Sequence, residues 1–155
     1  MIDDKYRLRK YDGQADFALE WYLDPETVYF VDGIKTPYDI NKLYRMYDYL
    51  NKHSEVYFIE VLQKEWIPIG DVSFSLEDLP IVIGDNKYRQ QGLGKKVIQT
   101  LIKRGIELGY TELKVKEIYR YNFASQKLFT SLGFIPLAET TKGSSWYLTL
   151  KKEPK

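Results

Sequence analysis

The chain has 155 residues, 44% of them hydrophobic, with no cysteine, 23 basic against 22 acidic residues and a formal net charge of +1. That length suits a single domain with one core, and the lack of cysteine removes disulfides, thiolate metal sites and any acyl-cysteine intermediate. Acidic and basic residues are interspersed, which leaves no broad basic face for nucleic acid. No apolar run nears the ~20 residues of a membrane span and Met1–Lys5 lacks a leader's apolar core, so a cytoplasmic protein without membrane or metal is expected.

Tyr6 and Leu8 alternating with Arg7 and Arg9 predict a short first strand. Asp12 offers a cap for a helix from Gln14 to Leu23, which Asp24-Pro25 ends. Between Trp21 and Tyr49 lie Trp21, Tyr22, Tyr29, Phe30, Tyr38, Tyr44, Tyr47 and Tyr49, rings that suit either core packing or a pocket for a polar amine. The same rings would also suit a homodimer contact. Asp32-Gly33 and Thr36-Pro37 mark a loop before a second helix over Tyr38–Asn51, with His53 just past its end. Val56–Leu62 and Ile69–Phe74 read as antiparallel strands joined through Gln63–Trp66, with Pro68 at an edge or a bulge.

Leu76–Leu79 is turn-like, and Pro80–Gly84 is a short buried strand. Lys95–Leu108 carries Val97, Ile98, Leu101, Ile102 and Ile106 at helical spacing, with Gly109 as its stop. A strand over Thr111–Ile118, a helix over Asn122–Leu132, and closing strands at Phe134–Ala138 and Ser145–Leu150 complete an α/β pattern.

Between the strand ending at Gly84 and the helix starting near Lys95 lies Tyr88-Arg89-Gln90-Gln91-Gly92-Leu93-Gly94-Lys95-Lys96. Two glycines one residue apart permit positive φ, and the helix they open presents unpaired N–H groups at the positive end of its dipole, with Arg89, Lys95 and Lys96 adding full charges. A diphosphate fits such a cradle. Its spacing is not that of a Walker A loop, because Arg89 stands where the first glycine belongs and Lys96 replaces the hydroxyl residue. Nor is it a dinucleotide fingerprint, since Val97 occupies the third glycine position.

What remains, Arg-x-x-Gly-x-Gly between a strand and a helix, resembles the acetyl-CoA loop of the GNAT family of N-acetyltransferases. A second segment agrees: Asn122, then Leu128-Phe129, then Gly133-Phe134, in the order that family shows after its glycine loop. The pattern is similar to the branch of ribosomal-protein N-terminal and aminoglycoside acetyltransferases. The resemblance implies a central mixed, mostly antiparallel sheet of six to seven strands flanked by about four helices. It also implies transfer of an acetyl group from acetyl-CoA to a primary amine, on a small molecule or a peptide N-terminus, by direct attack.

By the same resemblance Arg89 and the backbone of Gln90, Gln91, Gly92, Leu93, Gly94 and Lys95 would hold the pyrophosphate. Val82, Ile83 and Gly84 would pair with the pantetheine amides, and Asn122 would bind the pantetheine side. The attacking amine must lose a proton, and Glu77 and Asp78, just before the central strand, are the carboxylates named for that step. Asp85 is expected to order the loop. Phe129 stands where many family members have a proton-donating Tyr, which keeps a noncatalytic acyl-CoA-binding domain as the alternative.

Overall fold

A computed structural model describes residues 1–151. The chain divides into two compact units, residues 1–73 with 81–91, and residues 74–80 with the chain from Gly92 onward.

The first unit holds a four-stranded antiparallel sheet, β1 (Tyr6–Lys10), β2 (Glu55–Leu62), β3 (Trp66–Phe74, to Ser73 in this unit) and β4 (Ile81–Ile83), in the order β1-β2-β3-β4. Tyr6 pairs with Val61 and Lys10 with Tyr57. The predicted first helix is shorter than expected. Asp12 caps only a local turn, accepting from the Gln14 N–H at 3.0 Å, and a 3-10 turn at Asp16–Ala18 leads into α1 (Leu19–Leu23).

The segment read as a loop contains another helix, α2 (Pro25–Asp32). Asp24 ends α1 and also caps α2 by accepting from the Glu26 N–H, Pro25 fills the first helical position, and Gly33 closes the helix at φ 75°. Pro at that position is favourable, because its missing N–H would have had no helical partner. The next helix, α3 (Ile40–His53), starts two residues later than expected, with Asp39 as its cap, and keeps His53 at its end.

The helices and the sheet enclose an aromatic core. Trp21, Tyr22, Tyr38, Tyr47 and Phe58 are buried among Ala15, Ala18, Val28, Leu43 and Val56. Tyr47 meets Phe58 edge-on at 5.5 Å and Tyr22 at 6.4 Å. Tyr49 and Phe30 remain exposed, so the ring-rich segment is core on one face and surface on the other. Pro68 sits in an internal strand, but the β3–β4 ladder runs only from Gly70↔Ile83 to Val72↔Ile81, so Pro68 lies beyond its end.

The second unit contains α4 (Leu93–Glu107), β5 (Glu112–Tyr119), α5 (Phe123–Ser131), β6 (Ile135–Glu139) and β7 (Gly143–Thr149), with the strands ordered β5-β7-β6, all antiparallel. Val97, Ile98, Leu101, Leu113, Phe129 and Phe134 are buried here. Gly109, at φ 82°, follows the last turn of α4 as its expected stop. The β5–β7 register shifts between Val115 and Ile118. On β6, Ile135 and Leu137 are exposed and the register shifts between Pro136 and Ala138.

Candidate active site

Gln90, at φ 60°, is the one non-glycine residue with positive φ among the described residues, and Gly92 follows at φ 76°. Gly92 is the N-cap of α4, without a side-chain cap and without an acidic residue in the first turn. The first helical bond runs from the Lys96 N–H to the Gly92 carbonyl at 3.2 Å. The N–H groups of Leu93, Gly94 and Lys95 therefore have no carbonyl ahead of them. With the helix dipole and the ammonium groups of Lys95 and Lys96, this end of α4 favours an anion.

The two loop glycines exist for different reasons. A Cβ on residue 92 would meet nothing within 4 Å, so the left-handed backbone is what demands glycine there. A Cβ on residue 94 would stand 3.2 Å from Leu128 Cδ2, so Gly94 lets α5 pack against α4. Arg89 turns back into the first unit, its Nε donating to the Ile83 carbonyl at 2.8 Å and an NH2 nitrogen to Thr27 Oγ1 at 3.0 Å. It ties the loop to β4 and α2. Gln91 Nε2 donates to the Lys87 carbonyl, and Asp85 accepts from the Lys87 N–H at 3.0 Å, the loop-ordering role expected of it.

On β4, the N–H groups of Gly84 and Asp85 both donate to the Ile69 carbonyl, at 2.7 and 3.1 Å. Antiparallel ladders alternate, so with Val82 opposite Asp71 and Ile83 opposite Gly70, Val82 faces β3 while the N–H and C=O of Ile83 turn away from it. Of the three residues nominated to pair with pantetheine, Ile83 is the one with a donor on the free edge. Gly84 is roofed by Trp21, since a Cβ there would fall 2.2 Å from the indole Cγ.

In the second unit, Asn122 Oδ1 accepts from the Ser125 N–H at 3.1 Å and so caps α5. Asp78 Oδ1 accepts from the N–H groups of Lys116 and Leu79, both at 3.0 Å. Lys116 lies where the β5 register shifts, so Asp78 satisfies a donor at that irregularity and pins residues 74–80 to β5. Burial pushes its carboxyl up, against the pull of the two amide donors. Glu77 is exposed. Phe129 is 2% exposed and packs edge-on against Phe134 at 5.0 Å, making it a core residue.

One acid escaped the sequence reading. Asp71, on β3, is buried, and its Oδ2 accepts from the hydroxyls of Tyr22 and Tyr47, each at 2.6 Å. Burial raises its carboxyl to about 6, outweighing the two phenol bonds that lower it. The sequence did carry a signal, a lone carboxylate inside the apolar run Ile69–Phe74. An open groove of about 540 Å³ lies over α2, lined by Asp24, Pro25, Glu26, Tyr29, Phe30 and Lys35.

The sequence matches the model of the Acetyltransferase (GNAT) family over residues 15–134, and the chain belongs to that family. Membership makes it an acetyl-CoA-dependent N-acetyltransferase. Comparison with curated protein sequences finds no match.

Among solved structures, a domain from Methanocaldococcus jannaschii DSM 2661 is similar at a TM-score of 0.83 and 19% identity, over 96% of this chain and 100% of that one. Spermidine N-acetyltransferase from Vibrio cholerae, in complex with CoA and spermine, is similar at 0.75 and 14%, over 96% and 97%. An aminoglycoside acetyltransferase in complex with coenzyme A is similar at 0.74 and 14%, over 93% and 94%. At these identities the likeness is one of fold. Among the described residues no helix is long and apolar enough to cross a membrane.

Proposed function

We propose that the diphosphate of acetyl-CoA is held by main-chain N–H groups of residues 90–95, and that the pantetheine arm pairs with the free edge of β4 at Ile83. The family resemblance also assigns Asn122 to the pantetheine side, and its Oδ1 is committed to the cap of α5. The acceptor is a primary amine on a small molecule or a peptide N-terminus, attacking the thioester directly in a ternary complex. The uncapped start of α4 behind the positive-φ pair Gln90 and Gly92 carries this reading.

The acceptor's class is supported by the groove over α2, where carboxylates stand beside rings and the Lys35 ammonium already lies 5.3 Å from the Tyr29 ring centre. Carboxylates and ring faces together suit alkylammonium groups. Two structural neighbours are likewise enzymes of amine substrates, a spermidine and an aminoglycoside acetyltransferase. Asp78 and Glu77 are the carboxylates proposed from the sequence to take the amine's proton, and the two amide bonds on Asp78 favour a structural part for that residue.

Calorimetry with CoA and acetyl-CoA, followed by thiol release in the presence of a panel of amines, tests the proposal. Binding with release of one thiol per acetylated amine is expected. No heat with either form of the coenzyme removes the cradle. Phe129 at the expected Tyr position favours one second reading, a domain that binds acyl-CoA without turnover, and tight binding with no thiol released would select it.

A further inference from the structure

Two acids of the first unit are buried, and they differ in company. Glu60, 3% exposed, accepts from Arg7 Nε at 2.7 Å and Arg9 Nε at 2.9 Å. Asp71, 6% exposed, has no cation against it; its bonds from Tyr22 and Tyr47 both land on Oδ2, and no donor among the described residues reaches Oδ1. Nor is Oδ1 sealed in. Among the described residues the enclosed side-chain polar atom without a partner is Trp146 Nε1, so Asp71 Oδ1 keeps a trace of accessible surface, within the 6% of the residue that remains exposed.

A carboxylate taken out of water with one oxygen unbonded is expensive, and native structures leave few such groups without a reason. Position supplies a reason here. Asp71 pairs with Val82, one residue from the Ile83 N–H that faces the free edge of β4, and its side chain lies on the sheet face covered by α1 and α3.

We propose that Asp71 Oδ1 seats the ammonium group of the acceptor and takes its proton, while Tyr22 and Tyr47 fix the carboxylate through Oδ2. This rests on the acetyltransferase function and names the group that meets the reacting nitrogen. The ammonium gives one proton to Asp71, and the freed lone pair forms the C–N bond as the C–S bond breaks. The departing sulfur receives a second proton from the nitrogen. Amide, thiol and protonated Asp71 result, and solvent then takes the proton from Asp71.

A carboxyl near 6 is still mostly ionised at neutral pH, yet it is a stronger base than an ordinary aspartate toward an amine near 10.4. Tyr22 from α1 and Tyr47 from α3 pack directly on Asp71, with Tyr38 behind Tyr22 and Tyr11 behind Tyr47. Asp32 and Asp48 lie one ring further out, bonded to Tyr38 and Tyr11. Burial and Asp71 hold Tyr22 and Tyr47 well above their ordinary range, and burial lifts Tyr11 to about 12.

The test compares wild type, Asp71→Asn and Tyr22→Phe. In wild type kcat/KM should fall on an acidic limb near pH 6. Removing the Tyr22 hydroxyl deletes a bond that favours the ionised form, so in Tyr22→Phe the limb moves to higher pH. Asp71→Asn should lose about 100-fold or more in kcat/KM, together with the limb, at unchanged affinity for CoA by calorimetry.

A separate arm uses propylamine and spermidine without acetyl-CoA. Either amine should raise the Tm of wild type at pH 8 more than at pH 5, and should leave Asp71→Asn unmoved. An unshifted limb in Tyr22→Phe, activity within threefold in Asp71→Asn, or equal amine shifts in both proteins overturns the assignment. Should wild type release no thiol with any amine, the acetyltransferase function fails by itself, and the amine arm still decides on Asp71.

Discussion

Asp71→Asn replaces a buried carboxylate by a group of the same size that cannot ionise and whose oxygen still accepts from Tyr22 and Tyr47. In the wild type, burial lifts the carboxyl from its ordinary 3.8 to about 6. At about 1.4 kcal/mol per tenfold change in proton affinity, that rise is worth about 3 kcal/mol. Because the folded-state value lies above the unfolded one, the native protein holds more protons than the unfolded chain between the two, and stability falls as pH rises through that interval. The penalty is absent below about pH 4 and complete above about pH 7. The variant has no such penalty, so its stability relative to wild type should grow by about 3 kcal/mol from pH 4 to pH 8. Urea unfolding followed by far-UV circular dichroism at each pH gives both free energies, and the difference cancels titrations the two proteins share. A difference flat to within about 1 kcal/mol would refute the reasoning. A difference of the reverse slope would mean that Asp71 is stabilised by a positive charge.

Gly92→Ala should destabilise the fold by about 1–2 kcal/mol through its left-handed backbone alone and raise the Kd for CoA tenfold or more. Gly13→Ala, also at positive φ with open space around it, serves as the control and should leave the Kd unchanged. Arg89→Lys should be nearly as destabilising as Arg89→Met, by about 1–3 kcal/mol, because the bonds to Ile83 and Thr27 need the guanidinium fork; full retention of stability in the Lys variant would show that charge alone suffices. Asp78→Ala strands the N–H groups of Lys116 and Leu79 and should lower Tm, by the equivalent of about 1–3 kcal/mol, with the acidic limb of kcat/KM left in place. Glu77→Ala should change neither, and a lost limb in either variant would name that residue as the proton acceptor.

Features with a local cause were readable from the residues. The glycine stretch, the stop at Gly109, the cap at Asn122 and the turn at Asp85 each follow from bonds within a few positions, and they occur where expected. The helix at Pro25–Asp32 is hidden in the sequence because Asp24-Pro25 ends one helix and starts the next, and the stop signal masks the start signal. The family resemblance places both Arg89 and Gly94 at the ligand. Their contacts with Thr27 and Leu128 join segments distant in sequence, which no local pattern announces. Asp71 depended most on tertiary structure, since an aspartate in a strand acquires meaning only when Tyr22 and Tyr47 arrive from two helices.

The outer strand β6 carries two exposed aliphatic side chains, Ile135 and Leu137, on the rim of a three-stranded sheet. Such a rim invites the strand of a second molecule, the first step toward stacked aggregates. Pro136 has no N–H to offer, and the register break before Ala138 interrupts the two-residue repeat that an incoming strand would have to match. A newcomer can therefore zip only a bond or two before its ladder fails. Pro136→Val would remove half of that protection, and turbidity on prolonged concentration should show it first.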